Sequence, residues 1–205
     1  MHKYFLFIIC SILMQTKLTA QSKVGAELYK YMIRDMPGSF QPILNMQSPK
    51  NWYLEARYNY EEANTFSLFA GKTFSGGKVA EYSITPMAGY SIGVFTGLSL
   101  AVNTDVEWKS FYFSAQSQYS ISSKTKDDSF LFSWSELGYS LSDHFFTGAT
   151  LQYTHTICQT ELEPGILAGV SFKDFEIPLY LFKPFQSERY FVLGVSYEFN
   201  FGRKK

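Results

Sequence analysis

The side chains that could perform acid-base or metal chemistry are few, and most of them lie near one predicted connection. His155 is followed there by Cys158, Glu161 and Glu163. Imidazole, thiolate and carboxylate groups are the ligands that zinc and similar ions bind in proteins. A metal site needs these ligands to converge, however, and one His-x-x-Cys pair is a weak pattern. We therefore expect no metal or other cofactor.

Nucleophilic catalysis has little support in the sequence. A hydrolytic site requires a nucleophile, a base and an orienting acid that come together. His155 is followed by Thr156, and no Ser-His-acid spacing is evident around it or around His144. Gly-rich phosphate loops and Walker-type motifs are also absent from the sequence. We expect no catalytic residues; an enzyme that acts at one rim through His155 or His144 is the alternative.

Four charged residues interrupt faces that otherwise carry small, uncharged polar side chains. If those faces line the inside of a barrel, the charges are buried and require partners. We therefore predict an internal salt-bridge network, with a proton or substrate relay as the less favoured interpretation. The four residues are Glu55, Arg57, Glu136 and Glu198.

The composition excludes several classes of protein. The chain has 205 residues, with 18 Lys+Arg against 18 Asp+Glu, 18% charged residues and 19% aromatic residues. Zero net charge disfavours a nucleic-acid-binding protein, and the abundance of order-promoting residues disfavours disorder. Outside the N-terminus there is no run of about 18 apolar residues for a transmembrane helix. The length allows one domain.

Residues 1–20 are typical of a secretory signal peptide. A basic start at Lys3, an apolar stretch over residues 4–14 and a small residue at Ala20 match its three regions. The apolar stretch is too short to span about 30 Å of hydrocarbon. Cleavage after Ala20 would remove Cys10 and leave Cys158 without an intramolecular partner. An exported chain would then need stabilisation other than disulfides.

Apolar residues recur at every second position from residue 51 to residue 201. Period two places the apolar and polar sets on opposite faces of a strand. Long and short connections alternate, as in a barrel with one loop-rich rim. If residues 51–201 form ten strands, each strand with its connection has about 15 residues. This length suits membrane-spanning strands of about 9–11 residues. We predict about ten strands, with eight as the main competitor, near 51–60, 65–74, 80–91, 95–104, 109–121, 129–140, 144–155, 165–172, 175–182 and 189–201.

The distribution of side chains favours a membrane barrel over a soluble one. The polar face is mostly Ser, Thr, Gly, Gln and Asn, whereas a solvated surface would be rich in Lys and Glu. Aromatic residues gather at strand ends, as in the pairs Trp52 with Tyr60 and Phe111 with Tyr119. We therefore predict an all-β fold, a closed antiparallel up-and-down transmembrane β-barrel. A soluble exported lipocalin-like barrel is the alternative.

The last strand carries a more specific motif. Gly194 is followed three and five residues later by Tyr197 and Phe199, and Phe201 continues the alternation. This pattern resembles the C-terminal assembly signal of outer-membrane β-barrel proteins of Gram-negative bacteria. The resemblance implies an outer-membrane location, contact with lipid and transient recognition by the barrel assembly machinery. Val192 and a basic tail over residues 202–205 depart from the usual pattern.

Residues 21–50 lack the alternation and contain Pro37, Pro42 and Pro49. We predict that they form a leader before the barrel, with one short amphipathic helix over residues 24–36. A lumen plug or a periplasmic contact is the alternative.

The strand number determines the expected function. A barrel of eight to ten strands has an interior about wide enough for its own side chains. We therefore predict a largely filled barrel with a structural or interaction role, and no partnership with nucleic acid. The alternatives are a narrow channel or binder for a small solute, and the rim enzyme.

Overall fold

The computed structural model describes residues 22–201, so the predicted signal peptide and the basic tail lie outside it. These residues form strands joined by short connections and one 3-10 turn at Lys126–Asp128. No helix among them is long and apolar enough to cross a membrane. The strands are β1 (Ser22–Met32), β2 (Ser39–Gln47), β3 (Trp52–Tyr58), β4 (Phe66–Lys72), β5 (Phe74–Gly76), β6 (Glu81–Ile92), β7 (Gly97–Trp108), β8 (Phe111–Ser122), β9 (Phe130–Ser140), β10 (Phe145–Thr156), β11 (Thr160–Phe172), β12 (Phe175–Phe182) and β13 (Tyr190–Phe201).

The strands close into one antiparallel up-and-down barrel. Strands adjacent along the chain are paired, and β13 pairs with β1 from Ser22↔Phe201 to Met32↔Phe191. Both β4 and β5 pair with β6, so they form one barrel strand interrupted at Thr73. The 13 strand segments of residues 22–201 therefore make 12 barrel strands. The predicted fold class is confirmed, and the predicted number of ten is wrong.

The two extra strands come from the segment that was predicted as a leader with a helix, and that prediction is also wrong. Residues 22–47 contain β1 and β2, where Leu28 lies opposite Pro42. Leu28 and Met32 are four residues apart, a spacing that shares one face in a helix and also in a strand. Lys30 lies between them on the same outward face, with its Nζ 5.4 Å from the ring centre of Phe40. This charge interrupts the apolar alternation.

The two barrel ends differ in their connections. We call the end where β1 begins and β13 ends the termini end, and the opposite end the loop end. Connections at the termini end span two to four residues, and those at the loop end span three to seven. The predicted alternation of short and long connections is therefore present in only part of the barrel. The connections 77–80 and 93–96 are equal in length, and the predicted long connection over residues 156–165 is only the turn 157–159, because β11 begins at Thr160.

The outward face is apolar and has aromatic residues near both ends. Leu100 is 65% exposed and Ile166 is 54% exposed, although both lie within strands. Large exposed side chains of this kind, on a closed barrel, match a surface that faces lipid. The outward aromatic residues include Trp52, Phe74, Trp108, Phe111, Phe145, Phe172 and Phe175 toward the termini end, and Phe40, Tyr58, Phe66, Tyr90, Tyr119 and Phe191 toward the loop end.

A charge in the middle of this outward face should destabilise the barrel. Ile166 lies at the centre of β11, opposite Ala149 and Leu181. We expect Ile166→Arg to lower the free energy of unfolding in lipid vesicles by about 2–4 kcal/mol. Ile166→Leu is the matched control and should change it by less than about 1.5 kcal/mol. Equal stability of the two variants in urea titrations would show that this face does not contact hydrocarbon.

Candidate functional site: the barrel lumen

A buried ion pair lies inside the loop-end half of the barrel. Arg57 and Glu55 are both inward residues of β3, and each side chain is 1% exposed. The Arg57 Nε donates to Glu55 Oε1, and Tyr53 donates its hydroxyl to Glu55 Oε2 at 2.5 Å. Because buried charges need partners, this pair can stay ionised out of water.

Arg57 also joins β3 to the opposite wall. Its Nη1 donates to Gln118 Oε1 of β8 at 2.6 Å, across the lumen. The guanidinium carbon lies 4.4 Å from the ring centres of both Tyr60 and Phe69. Stacking on aromatic faces suits the weakly hydrated guanidinium group. One side chain thus connects carboxylate, amide and aromatic groups from several strands.

The connection 59–65 folds into the barrel and adds to this cluster. Its Glu61 is fully buried, lies 3.9 Å from Arg57 and accepts a hydrogen bond from Ser67. Tyr60 donates its hydroxyl to Gln116 at 2.9 Å and meets the edge of Phe132 at 5.7 Å. Tyr60 was predicted to lie with Trp52 at the ends of one strand, and this is wrong, because β3 ends at Tyr58 and the chain turns inward.

Aromatic contacts cross the lumen between β1 and the wall formed by β9 to β13. Tyr29 of β1 lies 5.3 Å from Trp134 of β9, measured between ring centres. Tyr31 accepts a hydrogen bond from Gln152 of β10 at 3.2 Å. Trp134 belongs to a buried cluster, and its indole N–H donates to Thr150 at 2.9 Å. Together with Arg57 and Tyr60, these contacts narrow the lumen toward the loop end.

The termini-end half holds a cavity of about 710 Å³. Its mouth is at Lys109, Ser110, Lys173 and Asp174, which lie in or beside the short turns of the termini end. Its deep end reaches the aromatic side chains that narrow the lumen. Carboxylates dominate the charged groups of its wall, namely Glu27, Asp105, Glu107, Glu136, Asp174, Glu176 and Glu198, against Lys109 and Lys173.

The structure joins only part of the predicted salt-bridge network. Glu55 and Arg57 pair directly. Glu136 is separate from them and lines the cavity. Glu198 lies beside the mouth and pairs with Lys23 at 3.4 Å, with both side chains about half exposed. The predicted single network is therefore wrong, since its members lie at different depths of the barrel.

Sequence reasoning missed several cavity residues. Glu27 was assigned to the leader, so its inward position on β1 went unnoticed. Asp105 and Glu107 lie on the inward face of β7, and the period-two pattern continued past residue 104 would have found them. The inward folding of residues 59–65 leaves no periodic signal, because it depends on tertiary contacts.

The two histidines of residues 22–201 do not form a common site. His155 faces outward on β10 and contacts Thr160 Oγ1 at 2.7 Å, whereas Glu161 and Glu163 face the lumen. His144 lies at the other end of β10, with its Nδ1 3.3 Å from the Ser171 carbonyl oxygen. Within residues 22–201 the structure has no group of three or more His, Cys, Asp and Glu side chains that could hold a metal ion.

The residues of the predicted assembly signal lie on the strand that closes the barrel. Gly194 faces inward, where a Cβ atom would lie 2.8 Å from Pro178 and 3.0 Å from Tyr29. Tyr197 packs against Phe175, with ring centres 4.2 Å apart, and Phe199 packs on Tyr197. The Phe201 side chain is outside the described part of the structure. Packing alone accounts for Gly194, and recognition by the assembly machinery stays a prediction.

Comparison with known proteins places the fold in one class. No protein-family model and no curated protein matches the sequence. The chain is similar in structure to the KdgM porin, with a TM-score of 0.64 at 10% sequence identity, covering 85% of this chain and 99% of that one. The KdgM porin in complex with disordered oligogalacturonate gives a TM-score of 0.62 at 12% identity, with the same coverage. The fold is therefore that of a porin-like outer-membrane β-barrel.

The Arg57 cluster should contribute strongly to stability. Arg57→Met leaves Glu55 and Glu61 buried without a cation, and we expect it to lower the free energy of unfolding by about 3–5 kcal/mol. The additional change Glu55→Gln should recover part of this loss. Lys23→Met removes a half-exposed ion pair and should cost at most about 1 kcal/mol. Urea titrations monitored by tryptophan fluorescence measure all three, and equal losses for Arg57→Met and Lys23→Met would contradict a buried pair.

Proposed function

We propose that the protein is a channel in the outer membrane of a Gram-negative bacterium that admits small polar solutes. The observation that carries the proposal is the polar cavity of about 710 Å³ inside a closed 12-stranded barrel. A filled lumen was predicted for a barrel of eight to ten strands. A larger number of strands gives a wider interior. The proposal assigns no catalytic step to the chain.

The orientation follows from the connections. In outer-membrane barrels the short turns face the periplasm and the longer loops face outside. The termini end, with the mouth of the cavity, would therefore face the periplasm. The proposal includes lipid around the apolar outward face and transient recognition of Gly194, Tyr197, Phe199 and Phe201 during assembly.

The loop-end contacts determine how a solute would pass. Tyr60 and Arg57 lie between the cavity and the loop end, and both are supported by contacts with the opposite wall. A barrel in which this cluster never opens would have a periplasm-facing pocket with a structural or binding role. The packed cluster of Trp134, Tyr180 and Phe182 favours that second candidate.

The ligand of the structural neighbour does not suit the wall of this cavity. Oligogalacturonate is a polyanion, and seven carboxylates line the cavity against two lysines. Like charges at short range disfavour entry and binding. We therefore propose a different solute class for this chain, although the barrel fold is shared.

Electrical recording tests the channel role. We expect the purified protein to produce discrete current steps in planar lipid bilayers. Tyr60→Ala should increase the single-channel conductance, because it removes a ring that contacts Phe132 and Gln116 in the narrow part of the lumen. Tyr119→Ala is the matched control, since Tyr119 faces outward on β8 and is 50% exposed, and its conductance should equal that of the unchanged protein.

The outcomes separate the two candidates. Folding of each variant is checked by its heat-modifiable gel mobility. Folded protein that gives no current steps, with or without Tyr60→Ala, would overturn the channel role and favour the closed barrel with a pocket.

A further inference from the structure

We infer that the cavity binds small organic cations, meaning solutes with one or more ammonium groups. The transport consequence of this inference rests on the proposed channel function, whereas binding itself does not. Its basis is the combination of carboxylates and aromatic rings on the wall of one cavity.

Few carboxylates of the wall have a cationic partner within the protein. Six of the seven have no Lys or Arg nitrogen within 4.0 Å in the described part of the chain; only Glu198 is paired, with Lys23. The hydrogen bonds that Asp105 accepts come from neutral donors, namely Ser83 at 3.1 Å and Ser114 at 2.9 Å. Neutral donors bring no positive charge of their own, so the positions beside these carboxylates stay available to a cation.

The two lysines at the mouth are directed away from the lumen. The Lys109 Nζ lies 5.0 Å from the ring centre of Trp108, and the Lys173 Nζ lies 5.2 Å from that of Phe172. Both rings are on the outward face and are 45% and 61% exposed. Lysines at a membrane interface extend in this way toward the aqueous and headgroup region. Their charges therefore do little to offset the carboxylates inside.

Two of the wall carboxylates can be reached from the open space of the cavity. Asp105 and Glu107 lie on the inward face of β7, and both residues line the cavity and are exposed. Hydrogen bonds between an ammonium group and a carboxylate are charge-assisted and therefore stronger than neutral ones. An organic cation that enters the cavity can therefore contact these two side chains.

The deep end of the cavity adds aromatic faces. Tyr29, Trp134 and Tyr180 line it, and the Tyr29 and Trp134 rings are 5.3 Å apart. Organic ammonium groups bind to aromatic faces, and tryptophan is the most favourable ring. Arg57 makes the same kind of contact elsewhere in the lumen, since its guanidinium group lies against two aromatic rings and beside Glu55. The wall of this barrel thus already holds one cation by aromatic and carboxylate contacts.

Tryptophan fluorescence can test binding directly. The sequence has three tryptophans, and only Trp134 faces the cavity, so Trp52→Phe with Trp108→Phe leaves a single reporter. We expect spermidine, a trivalent organic cation, to change the fluorescence of the folded, detergent-solubilised protein with saturation. Citrate, a trivalent anion, should produce no saturable change.

Two double variants show whether the fluorescence change arises from spermidine bound in the cavity. Asp105→Asn with Glu107→Gln removes two carboxylates from the wall and should weaken the apparent spermidine affinity at least tenfold. Asp127→Asn with Asp128→Asn removes the same charge from the exposed 3-10 turn at the loop end and should leave the affinity within twofold. Equal responses to citrate and spermidine, or equal affinities for the two double variants, would overturn the inference.

Electrical recording tests transport separately from binding. In bilayers with a potassium chloride gradient, the reversal potential should show selectivity for cations and should move toward zero in Asp105→Asn with Glu107→Gln. Selectivity for anions would overturn cation preference and leave the channel role intact. Absence of any current would overturn the channel role, while the fluorescence titration would still decide cation binding.

Discussion

The pairing of β13 with β1 is the constraint on which the rest of the structure depends. Hydrocarbon offers no partners for backbone N–H and C=O groups, so a membrane sheet must close on itself. Pairing from Ser22↔Phe201 to Met32↔Phe191 completes that closure. It also fixes the two faces, because alternate residues of each strand must point to lipid or to the lumen. The interior width then follows from the number of strands.

The lumen created by this closure is divided into two unlike halves. Toward the loop end, Arg57 brings together Glu55, Glu61, Gln118 and aromatic rings from several strands. This is a costly arrangement that requires all its partners, since one missing member leaves a buried charge. Toward the termini end, carboxylates surround open space. The lumen therefore holds a cavity lined by carboxylates and, nearer the loop end, a narrow cluster of polar and aromatic side chains.

Much of the fold was predictable because strand alternation is a local property. The runs in β8, β10 and β13 show it clearly, and the closed barrel class follows from them. The segment 22–47 was misassigned since Lys30 and Pro42 interrupt its outward face. Those residues are tolerated there by tertiary context: Lys30 lies over the ring of Phe40, and Pro42 lies within the β1–β2 ladder. No local pattern contains that information.

The candidate site was predictable only in part, for a related reason. The Glu55 and Arg57 pair could be predicted, because two inward charges on one strand must be satisfied. The separation between the ion pair in the loop-end half and Glu198 near the mouth depends on strand stagger around the barrel. The position of Tyr60 depends on the folding of residues 59–65, where Asn59 and Asn64 adopt positive φ and are joined by a 2.7 Å hydrogen bond. Both features arise from the closed barrel as a whole.

The accessibility of introduced cysteines can show whether the lumen is divided into an open half and a closed half. In a Cys158→Ser background, Ser114→Cys would place a thiol on the cavity wall, and Ser120→Cys would place one at a fully buried position of the same inward face. The account predicts that a small cationic thiol reagent modifies Ser114→Cys rapidly, faster than an anionic reagent of equal size, and leaves Ser120→Cys unmodified. Equal modification at the two positions, or faster modification by the anionic reagent, would contradict it.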